Sequence, residues 1–185
     1  MKNLMLHTLN QRDHLVQPEE FDEILLDSPA TQVFTDFKYH RPHMVEAHLP
    51  AVEAAALMQQ ENIRVKLVVD SDMEFIGVID RDDLSEQQIL LNHMARGIAR
   101  NELQVRDLMH PRDQVCALDF ADLRRATVRD LVETLQRETQ KHCLVVDHHS
   151  HLIRGLVSSA EIALRLHRAI AVRHPANVRD LVLAR

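Results

Sequence analysis

KLVVDSDMEFIGVIDRDD, Lys66 to Asp83, and CLVVDHHSHLIRGLVSSAE, Cys143 to Glu161, are one pattern written twice. Leu67, Val68, Val69 and Asp70 return as Leu144, Val145, Val146 and Asp147 at a constant shift. Gly77 returns as Gly155 with one extra residue in the turn between. Each copy runs from an apolar β-branched strand through an acidic or His-rich turn into a second apolar strand, which ends at a polar turn that opens a helix. Self-similarity at a fixed interval marks a duplicated structural unit.

The repeat extends upstream. Val128, Leu131, Val132 and Leu135 recur at helical spacing, and their shifted counterparts are Ala51, Ala54, Ala55 and Met58, so each copy starts with an amphipathic helix. The second helices are predicted over DDLSEQQILLNHMARG after Gly77 and over SAEIALRLHRAI after Gly155. A short strand precedes each unit, around Met44 to Ala47 or Val115 to Leu118. The expected fold class is therefore α/β (α+β): two pseudo-symmetric units, each helix-strand-strand-helix with a short extra strand, their small mixed sheets packed together with helices outside. Expected boundaries are an N-terminal segment 1–30, a first unit 31–100, a second unit 104–172 and a tail 173–185.

Composition bounds the function. Of 185 residues, 45% are hydrophobic and 27% charged, which fits a soluble globular chain. A formal net charge of −6 argues against broad binding to nucleic acid or anionic lipid. Cys116 and Cys143 both lie in apolar runs, as small hydrophobes rather than a disulfide framework. The start MKNLMLHTLNQRD is too polar for a secretory leader, and no run reaches the ~20 apolar residues of a membrane span. A cytoplasmic protein is expected. No nucleophile elbow, GKS or GKT phosphate loop, zinc-protease helix or paired-Cys motif occurs, and only three glycines are present. The reading is not an enzyme.

The tandem of strand, helix, VVD, hairpin, Gly-hydrophobic-hydrophobic-[Ser/Thr]-x-x-[Asp] and helix resembles the CBS domain, named for cystathionine beta-synthase, and two such units resemble the paired Bateman module. VRDLMHP, Val105 to Pro111, is similar to the family's usual lead-in. The resemblance covers roughly Thr31 to Ile170. It implies clefts between the units for adenosine-containing ligands such as AMP, ADP, ATP or S-adenosylmethionine, a homodimer of four units, and a stand-alone regulatory module that passes its occupancy to a partner protein.

Under this resemblance, GLVSSAE is the favoured site. Gly155 lets backbone approach a ligand, Ser158 is the phosphate-side hydroxyl at a helix N-terminus, and Glu161, with a longer reach than Asp, is the ribose acceptor. In GVIDRDD, Asp83 keeps the ribose-type acid, but Asp80 takes the hydroxyl's place, where a carboxylate repels phosphate. That first site is degenerate, selective for an uncharged nucleoside, or dependent on a cation. Arg124 and His142 are phosphate or base neighbours. Val115, Ala117, Cys143 and Leu144 offer an apolar wall.

Alternative readings exist for the same residues. Ser158 and Glu161 have the spacing of a capping box, and Asp80 and Asp83 suit a helix N-terminus without any ligand. Cys143 and Leu144 equally suit a buried strand. The module could serve dimerisation alone with empty clefts. His148, His149 and His151 beside Asp147 could bind a metal, but they fall in one hairpin turn with no second element converging on it.

Overall fold

The computed structural model describes residues 24–138 and 140–166. Residues 1–23 of the expected N-terminal segment, the expected tail 173–185, and the part of the last helix beyond Leu166 lie outside the described residues.

Each copy keeps the predicted order of elements, and the second adds a one-turn helix before its first long one. In the first, β2 (Met44–Glu46) is followed by α1 (Ala51–Gln60), β3 (Val65–Val69), β4 (Phe75–Asp80) and α2 (Glu86–Arg96). In the second, β6 (Ala117–Asp119) is followed by α4 (Phe120–Leu123), α5 (Val128–Arg137), β7 (His142–Asp147), β8 (Leu152–Ser158) and α6 (Ser159–Arg165). α5 starts where Thr127 and Asp130 form a reciprocal capping box, and it buries Val128, Leu131 and Leu135. α1 buries the matching Ala51, Ala54 and Met58. The repeated aspartates shape the hairpin turns: Asp70 Oδ1 accepts from the Asp72 and Glu74 amides, and Asp147 Oδ1 from the His149 amide. The repeat reaches the strand irregularities too, with a register shift after Val68 in one hairpin and after Val145, its counterpart, in the other.

Sheet pairing departs from chain order. Two further strands are β1 (Phe34–Asp36) and β5 (His110–Pro111), the latter following the one-turn helix α3 (Val105–Leu108). The sheets run β2-β3-β4-β5 and β1-β8-β7-β6. β2 is parallel to β3 and β6 to β7, and the other pairs are antiparallel. The lead-in strand of each unit thus completes the sheet of the other. Thr31 to Asp36, assigned by chain order to the first unit, packs and pairs with the second: Val33 sits in the core with Leu123, Leu131 and Val157, and so does Ala30 at the end of the expected N-terminal segment. Conversely, Leu103 and Val105 join the first unit's core.

The glycines explain the exchange. A Cβ on Gly155 would lie 2.3 Å from the Thr35 carbonyl oxygen, and one on Gly77 2.5 Å from that of His110. Each glycine admits a crossing strand, so the closely approaching backbone at Gly155 is β1 and not, as expected, a ligand. Arg154 beside it pairs with Asp36 through both carboxylate oxygens at 2.6 and 2.7 Å, and stacks on the Phe120 ring at 4.5 Å. That pairing holds the Asp36 carboxyl below its ordinary value.

A third core joins the units face to face. Val65, Leu67, Val78 and Leu144 are buried there, with Phe37, Phe75, Val115, Ile153 and Leu156 packed against them. Among the described residues, no helix is long and apolar enough to cross a membrane.

Candidate functional site

At one end of this shared core the two units separate around a cavity of about 340 Å³. Its apolar wall is Val78, Val115, Leu144 and Leu156, drawn from both units and the segment joining them. Cys116 and Cys143 lie beside that wall. Cys143 is buried, which, with Cys116 nearby, pushes its thiol up to about 12. It is a neutral wall group at physiological pH.

The polar rim is built by Asp80 and Asp83 of the first unit with His110, Lys141 and His142, and Asp82 meets Lys141 from outside it. β4 ends at Asp80, and the chain turns tightly because Asp80 Oδ1 accepts from the Asp82 amide at 2.8 Å while Asp83 Oδ2 accepts from the Asp80 amide at 2.9 Å. α2 was expected to include this turn. It begins only at Glu86, where the Ser85 hydroxyl accepts from the Gln88 amide, because the two carboxylates close a turn of their own first. That turn aims both acids at the other unit. Asp80 Oδ2 lies 2.5 Å from His142 Nε2, and these side chains are 13% and 14% exposed. Asp83 lies 3.2 Å from Nε2 of His110, and Asp82 lies 2.7 Å from Lys141 Nζ.

These contacts set the electrostatics. Burial pushes Asp80 up, but the bonds from His142 and the Asp82 amide, with the charges of His142 and Lys141, hold its carboxyl below the ordinary value. The bond to Asp83 raises His110 against an opposing effect of burial. His142 spends Nε2 on Asp80, and its Nδ1 is buried with no hydrogen-bond partner among the described residues.

Of the residues singled out in the sequence, Asp80, Asp83, Val115, His142, Cys143 and Leu144 converge on this cavity. Ala117 lies beyond it on β6. Arg124 lines a different cavity of about 360 Å³, with Phe34, Asp36, Phe120 and Arg165. Gly155, Ser158 and Glu161 line neither. The Glu161 carboxylate is taken up by Arg165 at 2.8 Å, one helical turn on, and Ser158 makes no side-chain capping bond. The capping-box alternative for that pair is therefore not formed either. His110, Gln114 and Gln140 complete the lining and were not singled out. Their signal lay in the duplication: His110 pairs with Val78 through β5, as Thr35 pairs with Leu156 through β1.

Among the described residues, no three His, Cys, Asp or Glu are grouped to hold a metal ion. His148 lies near Asp119, at 3.7 Å, on an exposed turn.

Comparison with known proteins bears on the fold. Residues 35–89 match the CBS domain family profile. No curated protein matches the chain in sequence. Among solved structures, an uncharacterized conserved protein from Pyrococcus horikoshii is similar at 14% identity with a TM-score of 0.56, over 81% of this chain and 100% of the other. CBSX2 in complex with AMP is similar at 19% identity and 0.53, over 76% and 99%. A conserved CBS domain protein of unknown function from Thermoplasma acidophilum is similar at 16% and 0.50, over 81% and 75%. Identities this low establish a shared fold.

Proposed function

From a chain that carries a CBS domain over residues 35–89 and folds as a pair of such units, we propose a regulatory module that holds an adenosine-type molecule in the cleft between the units and signals its presence to a partner protein. The observation carrying this reading is the cavity at Asp80 and Asp83: an apolar slot for a base, edged by carboxylates able to accept from a ribose diol and built from both units. AMP bound to CBSX2 is the supporting analogy. Asp83 is the ribose acceptor. Val78, Val115, Leu144 and Leu156 flank the base.

Occupancy would be felt by both units, because the groups that border the cavity also bridge them: Asp80 to His142 and Asp82 to Lys141. A ligand drawing on either acid changes the inter-unit contacts and hence the surface offered to a partner. The role is regulatory rather than catalytic, in the cytoplasm.

Titration with adenosine, AMP, ADP, ATP and S-adenosylmethionine, followed by calorimetry and thermal shift, tests this. Binding at the cleft raises apparent stability through linkage. No response to any of them across the millimolar range sinks the reading.

The second helices support a further part of it. Leu90, Leu91 and Met94 on α2, and Leu164 on α6, are each at least half exposed. They occupy equivalent elements of the two units, so a second copy related by a two-fold axis can cover both sets at once. A homodimer is expected by light scattering at micromolar concentration. A Leu90→Glu, Met94→Glu double change is expected to give monomer, and a wild-type chain that is monomeric throughout contradicts this.

A further inference from the structure

We propose that the cavity at Asp80 selects a nucleoside bearing no phosphate, and that Asp80 is the residue enforcing the choice. This rests on the adenosine-type reading above and goes further, because the charges decide which adenosine-type molecule fits.

Every basic group at the cavity is already matched by a carboxylate of the first unit. His142 is held by Asp80 at 2.5 Å, His110 by Asp83 at 3.2 Å and Lys141 by Asp82 at 2.7 Å. The remaining lining is uncharged: valines, leucines, cysteines, Gln114 and Gln140. A phosphate entering here must take His142 or His110 from Asp80 or Asp83, leaving that acid unpaired where it is only 13% or 23% exposed, or share Lys141 with the exposed Asp82 while sitting beside Asp80 and Asp83. Either route costs free energy. Arg124, the other candidate for phosphate, lines the other cavity.

An uncharged nucleoside makes no such demand. Its base needs apolar faces, its diol needs an acceptor, and its polar edge meets the uncharged side chains of Gln114 and Gln140 in the lining. The two repeats differ at the deciding position. His142 faces Ser158 in its own hairpin, whereas the corresponding Val65 faces Asp80. Where the second repeat has a hydroxyl, the first has a carboxylate that reaches the opposite unit and occupies its imidazole.

The test compares adenosine with AMP by calorimetry, with and without magnesium, on the wild type, Asp80→Asn and Asp80→Ser. The wild type should bind adenosine roughly tenfold or more tightly than AMP. Both variants should raise the ratio of AMP to adenosine affinity by about tenfold, since they free His142 and remove the repelling charge. Asp80→Asn retains an acceptor for the Asp82 amide, so its melting curve should stay close to wild type and guard against misfolding. AMP binding as well as adenosine to the wild type, with or without magnesium, overturns the proposal and leaves the adenosine-type site standing. An affinity ratio unchanged in both variants removes Asp80 from the role and overturns it as well. Silence of adenosine, AMP and S-adenosylmethionine on all three proteins takes down the site reading itself, and this inference with it.

Discussion

Gly155→Ala should destabilise the protein by about 3 kcal/mol, at the upper end of what overpacking costs. The added methyl would lie 2.3 Å from the Thr35 carbonyl oxygen and 2.7 Å from the Phe34 ring. The first of these is backbone, which cannot rotate away, so β1 must leave its place against β8. For a chain of this size the melting temperature should fall by roughly 6 to 12 °C. Since β1 is the strand that the segment leading to the first unit contributes to the second unit's sheet, loss of its pairing should also loosen the Asp36–Arg154 bridge. Gly155 has no positive φ, so the cost comes from lost space and not from backbone strain. A melting shift below about 2 °C would contradict the crossing-strand account.

Asp83→Ala should abolish or weaken ligand binding at the cleft by about tenfold to more than a hundredfold. That is the equivalent of losing a hydrogen bond to a charged group, about 1.5–3 kcal/mol. The same carboxylate accepts from the Asp80 amide and holds His110, so the turn carrying the rim also loses its closure. Ser158→Asp is the control. Its position lines neither cavity, so binding at the cleft should be unchanged, and a sharp loss there would return the site to the second repeat. The Asp83 variant has a pH signature as well. Asp83 raises the pKa of His110 in the folded state, so the pair contributes stability fully below the ordinary histidine value of 6.5 and loses it as pH rises through the raised folded value. The stability gap between wild type and Asp83→Ala should accordingly narrow from pH 6 towards alkaline pH. Chemical denaturation at several pH values measures it.

These expectations differ in how far the sequence supports them. Residues 67–70 and 144–147 announced two hairpins, and 51–58 and 128–135 announced the helices that cover them, because burial on one face leaves a period that can be counted. The sequence also exposed the asymmetry between Asp80 and Ser158. It did not reveal which repeat's cleft opens. The favoured Glu161 proved to be engaged by Arg165 one turn away, a pairing that requires knowing where α6 runs. Asp80 found its partner 62 positions on, at His142, and Asp36 found Arg154 118 positions on.

The duplicated helix-strand-strand-helix unit, its turn aspartates and its small residues at 77 and 155 were determined by the sequence alone. Each follows from local periodicity or backbone geometry that acts over a few residues. The exchange of lead-in strands, the cavity at the first repeat and the pairing of its three acids with His110, Lys141 and His142 were decided only by the tertiary structure. Periodicity reports that a face is buried, or that a charge sits at a turn, but carries no information about which distant face or charge it meets. At this cleft the chemistry depends on those distant partners: with His142 hydrogen-bonded across from it, Asp80 is a clasp between units, and without it, the same residue would only close its own turn.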